Sequence, residues 1–256
     1  MFKFVDVEQN TEEWYKLRAG KLTSSKLGVI MASSKEYIVI SFGKSEFYVA
    51  DNNTKKMIKK CHVTKINAER EIIELKKKDL TKAFTATAKK YAVSIAIEQI
   101  TGKAIASTYS NEHMVRGHEQ EPIARMMYED ENFTDVTNGG FFESECGFIG
   151  CSPDGLTDSG VIEIKSVIAS TQYATVKRNN VDPSYKWQCV GNLKFTGKDW
   201  IDYVSYCSEF PEDNQLFTFR LEAKDLSDEF KMIESRIAEF KSLVEEVKNR
   251  INEGSK

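Results

Sequence analysis

The chain has few of the residues that break or cross-link regular structure: 4 Pro, 14 Gly and 5 Cys in 256 residues. So few breakers exclude collagen-like and low-complexity classes. An odd cysteine count with no Cys-x-x-Cys pair favours neither a disulfide framework nor a zinc ribbon. Cys61, Cys146, Cys151, Cys189 and Cys207 therefore read as ordinary reduced residues. No apolar run reaches the roughly 18–20 residues of a membrane span, and Met1-Phe2-Lys3-Phe4-Val5-Asp6 does not open a signal peptide. A cytoplasmic protein with no membrane partner is expected. An excess of charge is also missing, since 36 Lys+Arg face 39 Asp+Glu for a net −3. As a total, that argues against a nucleic-acid partner, because phosphate contacts call for Lys and Arg.

The distribution of charge reverses that argument. Residues 1–100 hold 19 basic and 12 acidic side chains, residues 101–170 hold 4 and 12, and residues 171–200 hold 5 and 2. A basic start and a short later basic stretch flank a very acidic centre. With 41% hydrophobic residues and no Pro/Gly/Ser linker, a single domain over 1–256 with a sizeable core is expected.

Asn10 and Glu13 make a capping-box pattern ahead of Trp14 and Leu17, and Gly20 is a helix stop. Thr23, Ser24 or Ser25 can cap a second helix through Leu27 and Ile30. Residues 35–50 read as a hairpin around Gly-Lys-Ser. Residues 54–79 read as a polar excursion on the surface, whose Lys-rich stretch Lys55–Lys78 is either a solvated face or holds duplex phosphates, so 35–80 is a hairpin plus insertion. A helix is predicted from Thr81 to Ile100, and a short one around Glu119–Tyr128. Strands are predicted at Gly139–Glu143, Phe148–Ser152, Val161–Ser166, Trp200–Cys207 and Leu216–Leu221, with a helix around Ser184–Lys194. Over 222–252, Leu226, Phe230, Ile233, Ile237, Phe240, Val244, Val247 and Ile251 step 4-3-4-3-4-3-4, a heptad seam. Such a helix either lies across the body of the fold or also serves an oligomer contact. Trp14, Trp187 and Trp200 read as core residues rather than base-stacking platforms.

The acidic centre carries the chemistry. In Val161-Ile-Glu163-Ile-Lys165, Glu163 and Lys165 share one face of a strand while Ile162 and Ile164 face the core. Asp154, in Ser152-Pro153-Asp154-Gly155, lies nine residues earlier at a turn that a hairpin brings close to Glu163. Two carboxylates and an ammonium converging at a sheet edge ask for a cation, and hard oxygen donors without His or Cys select Mg²⁺ or Mn²⁺. A divalent ion beside a lysine suits phosphodiester hydrolysis. Upstream, Arg116-Gly-His-Glu119-Gln-Glu121-Pro-Ile-Ala-Arg125 puts carboxylates on a helix. Trp14-Tyr-Lys-Leu-Arg18-Ala-Gly20 runs on to Thr23 and Ser25, and Tyr185-Lys-Trp-Gln188 follows the strand.

In that order these motifs resemble the lambda-type exonuclease family, the YqaJ-like viral recombinases of the PD-(D/E)XK nuclease superfamily. The resemblance covers roughly residues 8–34 and 81–207. It implies an α/β fold with a restriction-endonuclease-like core, a central mixed sheet flanked by helices. It implies that Glu121, Asp154, Glu163 and the Ile164 carbonyl bind metal, that Lys165 is the catalytic lysine, and that Gln188 supports the site. It also implies that Arg18, Ser25 and Ser152 hold a 5′-phosphate, which a guanidinium, hydroxyls and a helix N-terminus suit physically. The family has one more acid before the Pro-Asp turn; Ser144 aligns there, leaving Glu143 and Glu145 as candidate ligands of a second ion. The activity implied is a 5′→3′ exonuclease on linear double-stranded DNA ends that needs two Mg²⁺ ions, with Mn²⁺ substituting, and leaves 3′ single-stranded overhangs. Homotrimeric rings, a single-strand annealing protein as partner and the cytoplasm of a bacterial host, if phage-encoded, are implied too. The alternatives are a PD-(D/E)XK endonuclease, a single-strand-specific nuclease, or a non-catalytic DNA-end-binding module.

Overall fold

The computed structural model describes residues 1–32, 37–51, 56–58, 62–80, 84–105 and 112–254. Strand β1 (Phe2–Val5) leads to helix α1 (Glu12–Arg18). The helix starts one residue later than the capping pattern predicts. Thr11, not Asn10, is the N-cap, its hydroxyl accepting the Trp14 N–H. Asn10 instead turns the chain at φ 66°, a left-handed conformation its short polar side chain tolerates. Gly20, at φ 71°, ends the segment as expected. Strand β2 (Leu22–Thr23) runs into a single 3₁₀ turn at Ser24–Lys26 and then α2 (Leu27–Met31).

Strands β3 (Tyr37–Ser41) and β4 (Phe47–Asp51) form the expected hairpin; its first residues, 35 and 36, lie outside the described ones, as does Cys61. Residues 54, 55 and 59–61 of the Lys-rich excursion lie outside the described ones, and its described part holds α3 (Lys65–Leu80), a helix of 16 residues. Its Ala68, Ile72 and Leu75 cover Tyr37, Val39, Phe47 and Val49 of the hairpin in a small cluster of their own. Next, α4 (Ala86–Thr101) is capped by Thr85, and the predicted start at 81–83 lies outside the described residues. Gly102, at φ 67°, closes it. In place of a short helix at Glu119–Tyr128 stands α5 (Glu112–Asn132), which continues through Pro122. Burial extends it, because Ala124 and Tyr128 pack on Ile162, Ile164, Val204 and Tyr206.

The remaining elements are β5 (Thr137–Asn138), β6 (Phe141–Ser144), β7 (Ile149–Cys151), β8 (Gly155–Leu156), β9 (Gly160–Ser166), α6 (Ala169–Arg178), α7 (Lys186–Thr196), β10 (Trp200–Tyr206), β11 (Leu216–Glu222) and α8 (Ser227–Glu253). The strands form two larger sheets rather than a single central one. Their orders are β1-β6-β7-β2 and β11-β10-β9-β8-β5. Ser152-Pro153-Asp154 is the short link between β7 in the first sheet and β8 in the second. In the second sheet β9 lies between antiparallel β8 and parallel β10, so the whole is mixed, with helices packed against it. The predicted alternation on β9 holds. Ile162 and Ile164 bury against α5, and Glu163 meets side chains of α7.

Helix α8 lies across the body of the fold. Leu226, Ile233, Ile237, Phe240 and Val244 are buried, and the Phe240 ring packs on Phe84 and Tyr91 at 5.4 and 5.7 Å between centroids. Arg236 is buried with them; its Nε donates to the Ile30 carbonyl at 2.7 Å and its Nη1 meets Glu239 at 2.6 Å. Among the described residues no helix is long and apolar enough to cross a membrane. Cys151, Cys189 and Cys207 are buried free thiols and Cys146 is an exposed one.

Candidate active site

Asp154 is fixed by the hairpin that the sequence implies: its N–H donates to the Ile162 carbonyl at 3.1 Å, and its Oδ2 accepts the Ile164 N–H at 2.7 Å. Glu163 is fully buried. Its Oε1 accepts from Lys165 Nζ and Gln188 Nε2 in short contacts, and its Oε2 accepts from Asn192 Nδ2 at 2.6 Å. From α5, Glu121 faces the same cavity. Arg125, one turn on, pairs with Glu121 at 3.5 Å and donates to the Asp154 carbonyl, tying α5 to the Pro-Asp turn. A cavity of about 670 Å³ is lined by Glu121, Asp154, Ile164, Lys165, Arg116 and Tyr185, among others. A second of about 780 Å³ shares Asn10, His118, Glu121 and Asp154 with it, so open space lies on both sides of these carboxylates.

The electrostatics describe acids in want of a cation. Burial first, and the charge of Asp154 second, push Glu121 up to about 7 and Glu163 up to about 8. Burial alone would lower the Lys165 pKa, but Glu163 and Asp154 outweigh it and raise it, so the side chain stays an ammonium. As the side chains stand, no three His, Cys, Asp or Glu residues among the described ones form a metal cage. The reason is local. Three of the four donors the resemblance assigns to a metal converge on Lys165 Nζ instead, with the Ile164 carbonyl at 3.1 Å, Asp154 Oδ2 at 3.7 Å and Glu163 Oε1 in contact, while Glu121 pairs with Arg125. The ammonium stands where a hard cation would be welcome. The donor set, carboxylate oxygens and one backbone carbonyl with no nitrogen or sulfur, fits Mg²⁺ or Mn²⁺.

Arg18 and Ser25 are also brought together. Arg18 Nη2 reaches Ser25 Oγ at 3.3 Å and Thr23 Oγ1 at 3.5 Å, and its guanidinium lies 4.1 Å from the centroid of the Trp14 ring. Ser152 joins them through Trp14, whose Nε1 donates to Ser152 Oγ at 2.8 Å, while that hydroxyl donates to the Gly140 carbonyl at 2.7 Å. Trp14 is thus core, as its reading predicts, and a scaffold as well.

Over residues 13–199 the sequence matches the YqaJ-like viral recombinase domain. The chain belongs to that family. The fold is similar to that of an alkaline exonuclease from Laribacter hongkongensis, with a TM-score of 0.65 and 27% identity over 95% of this chain and 99% of that one. The same enzyme in complex with dAMP aligns at 0.65 and 28% over the same shares. A phage-related exonuclease from Haemophilus somnus 129PT, at 15% identity and a TM-score of 0.53 over 94% and 99%, shares the fold. No match was found among curated proteins. The family match bears out the resemblance, and the likeness to the Laribacter exonuclease bears out the fold class.

The stretch aligned with the family's additional acid makes contacts of its own. Ser144 Oγ accepts the Ile149 N–H at 3.0 Å and so ties the ends of the 144–149 turn together. Glu143 pairs with Lys21 at 3.2 Å and Glu145 with the N-terminal amine at 3.6 Å. Neither acid lines these two cavities. Glu119 is an exposed helix residue. Sequence reasoning missed the roles of Asn192 and Arg125. Each sits four residues after an assigned partner, Gln188 and Glu121, on the same helix face, and that spacing was the available signal.

Proposed function

We propose that this chain is a Mg²⁺-dependent exonuclease that degrades linear double-stranded DNA from 5′ ends and leaves 3′ single-stranded overhangs. The observation that carries the reading is the convergence of Asp154, Glu163 and the Ile164 carbonyl on one cation, in a cavity shared with Glu121. Those four groups would hold the ion, which when bound activates water and neutralises charge growing on the phosphate oxygens. Gln188 and Asn192 fix the Glu163 carboxylate, and Arg125 holds Glu121 against the Pro-Asp turn. Lys165 keeps a positive charge at the cavity wall, where the scissile phosphate gains charge in the transition state.

Arg18 and Ser25 would take the 5′-phosphate directly. Ser152 has its proton committed to Gly140 and contributes by seating Trp14 beneath Arg18. Hydrolysis joins a water oxygen to phosphorus and breaks the bond from phosphorus to the 3′-oxygen. Each released nucleotide then carries a 5′-phosphate, the class to which the dAMP bound by the Laribacter enzyme belongs. The shortened strand carries a new 5′-phosphate, the group that Arg18 and Ser25 suit. A trimeric ring around DNA and a single-strand annealing partner belong to the same proposal, by resemblance. The test is Mg²⁺-dependent digestion of a 5′-phosphorylated linear duplex beside 5′-hydroxyl and closed circular duplexes. Fast loss of the first, slower loss of the second and survival of the third are expected. Equal loss of circles, or no digestion, overturns the reading.

A further inference from the structure

One buried polar chain connects the two halves of the site, and its Ser24–Asn192 link has no role in what precedes. Ser24 opens the 3₁₀ turn that also carries Ser25, and its hydroxyl donates to Asn192 Oδ1 in a short contact. Asn192 Nδ2 donates to Glu163 Oε2 at 2.6 Å. Ser24, Asn192 and Glu163 are exposed by 2%, 0% and 0%. The amide turns its NH₂ to Glu163 and its carbonyl to Ser24, so one side chain joins the two. The turn and α7 are pressed together at the same point. A Cβ on Gly191 would stand 2.2 Å from Leu27 Cδ1 and 3.2 Å from Ser24 Cβ, so only glycine permits the approach that brings Ser24 to Asn192.

We propose that Asn192 is a positioning residue that couples phosphate binding at the Arg18–Ser25 pair to the placement of the Glu163 carboxylate. The inference rests on the proposed 5′-phosphate capture. A phosphate drawn to Ser25 and Arg18 pulls on the 3₁₀ turn, and Ser24, the residue next to Ser25, holds Asn192. The amide holds one oxygen of Glu163 while Lys165 and Gln188 hold the other. A shift of the turn therefore rotates a metal-ligand carboxylate, and a correctly phosphorylated end raises turnover as well as affinity. Couplings of this kind are worth about 5–150-fold.

The experiment compares wild type, Asn192→Leu and Ser24→Ala on matched 5′-phosphate and 5′-hydroxyl duplexes, reading kcat and KM separately. Wild type should show phosphate acting on both. In Asn192→Leu, and in Ser24→Ala should the leucine variant fail to fold, phosphate should still lower KM through Arg18 and Ser25, while its effect on kcat falls at least ~5-fold. The double variant should lose no more than either single one, because both break the same chain. Mn²⁺ affinity, measured by calorimetry with a duplex bearing a non-hydrolysable terminal linkage, should rise with a 5′-phosphate in wild type and not in the variants. If the variants slow both substrates equally and keep the wild-type phosphate effect on kcat and on Mn²⁺ affinity, Asn192 is merely structural and the inference fails alone. If wild type ignores the 5′-phosphate altogether, the end-capture reading fails and the inference with it.

Discussion

Replacing Lys165 with methionine keeps the length of the stem and removes the ammonium on which Glu163, Asp154 and the Ile164 carbonyl converge. At the 3.7 Å separation from Asp154, and with an effective dielectric of ~20, the gross attraction is about 4–5 kcal/mol. Desolvation of the ammonium offsets part of that, but Glu163 is fully buried and would lose its charged partner. Breaking a buried pair in this way costs about 3–5 kcal/mol. For a chain of this size that is a fall in Tm of about 6–20 °C without divalent ions. A divalent ion entering the vacated position should restore part of the loss, about 2.7 kcal/mol at a hundred times its Kd. The Mg²⁺-induced rise in Tm should therefore be larger in Lys165→Met than in wild type. Turnover should fall by about 10²–10³, the loss typical of one preorganised electrostatic group. Differential scanning fluorimetry with and without Mg²⁺, with single-turnover cleavage alongside, reads all three. A variant with wild-type Tm, no enhanced response to Mg²⁺ and retained cleavage would refute the reasoning.

Arg18→Ala should erase the preference for 5′-phosphate over 5′-hydroxyl ends while leaving the slower hydroxyl rate nearly unchanged, as steady-state kinetics on the two substrates will show. Chelation with EDTA should stop digestion, and Mg²⁺ or Mn²⁺ added back should restore it. Away from the site, Asp202 takes both Arg220 Nε and Nη2 at 2.8 Å and the Tyr128 hydroxyl at 2.7 Å while only 1% exposed. Asp202→Ala leaves Arg220 open to solvent but the buried Tyr128 hydroxyl unpaired, so it should lower stability by about 1–3 kcal/mol in urea unfolding and spare turnover of the folded fraction.

How much of this was legible in the sequence depended on whether the signal was local. Asp154, Glu163 and Lys165 could be placed because a Pro-Asp-Gly turn and a period-2 strand fix their geometry within a dozen residues. Gln188, Arg18 and Ser25 required the family's order of motifs, since nothing local says which helix faces which strand. Helix α3 was hidden because lysines interrupt its stripe; Ala68, Ile72 and Leu75 make sense only once the hairpin they cover is present. The full length of α5 was obscured by Pro122 and by apolar contacts made with strands far along the chain. Asn192 was invisible as a partner of Glu163 until α7 was seen packed on the Ser24 turn at Gly191. The near-neutral total charge misled for a similar reason, because it averaged a basic start with the acidic centre that supplies the candidate metal ligands.

The central claim is a metal-dependent attack that starts at the 5′ end. Its most direct test follows one linear duplex in Mg²⁺, labelled in separate preparations at the 5′ and at the 3′ terminus of the same strand. The account predicts immediate release of the 5′ label as a mononucleotide, while the 3′ label stays in a strand that shortens with time. Early release of the 3′ label, or of either label in longer fragments, would contradict it.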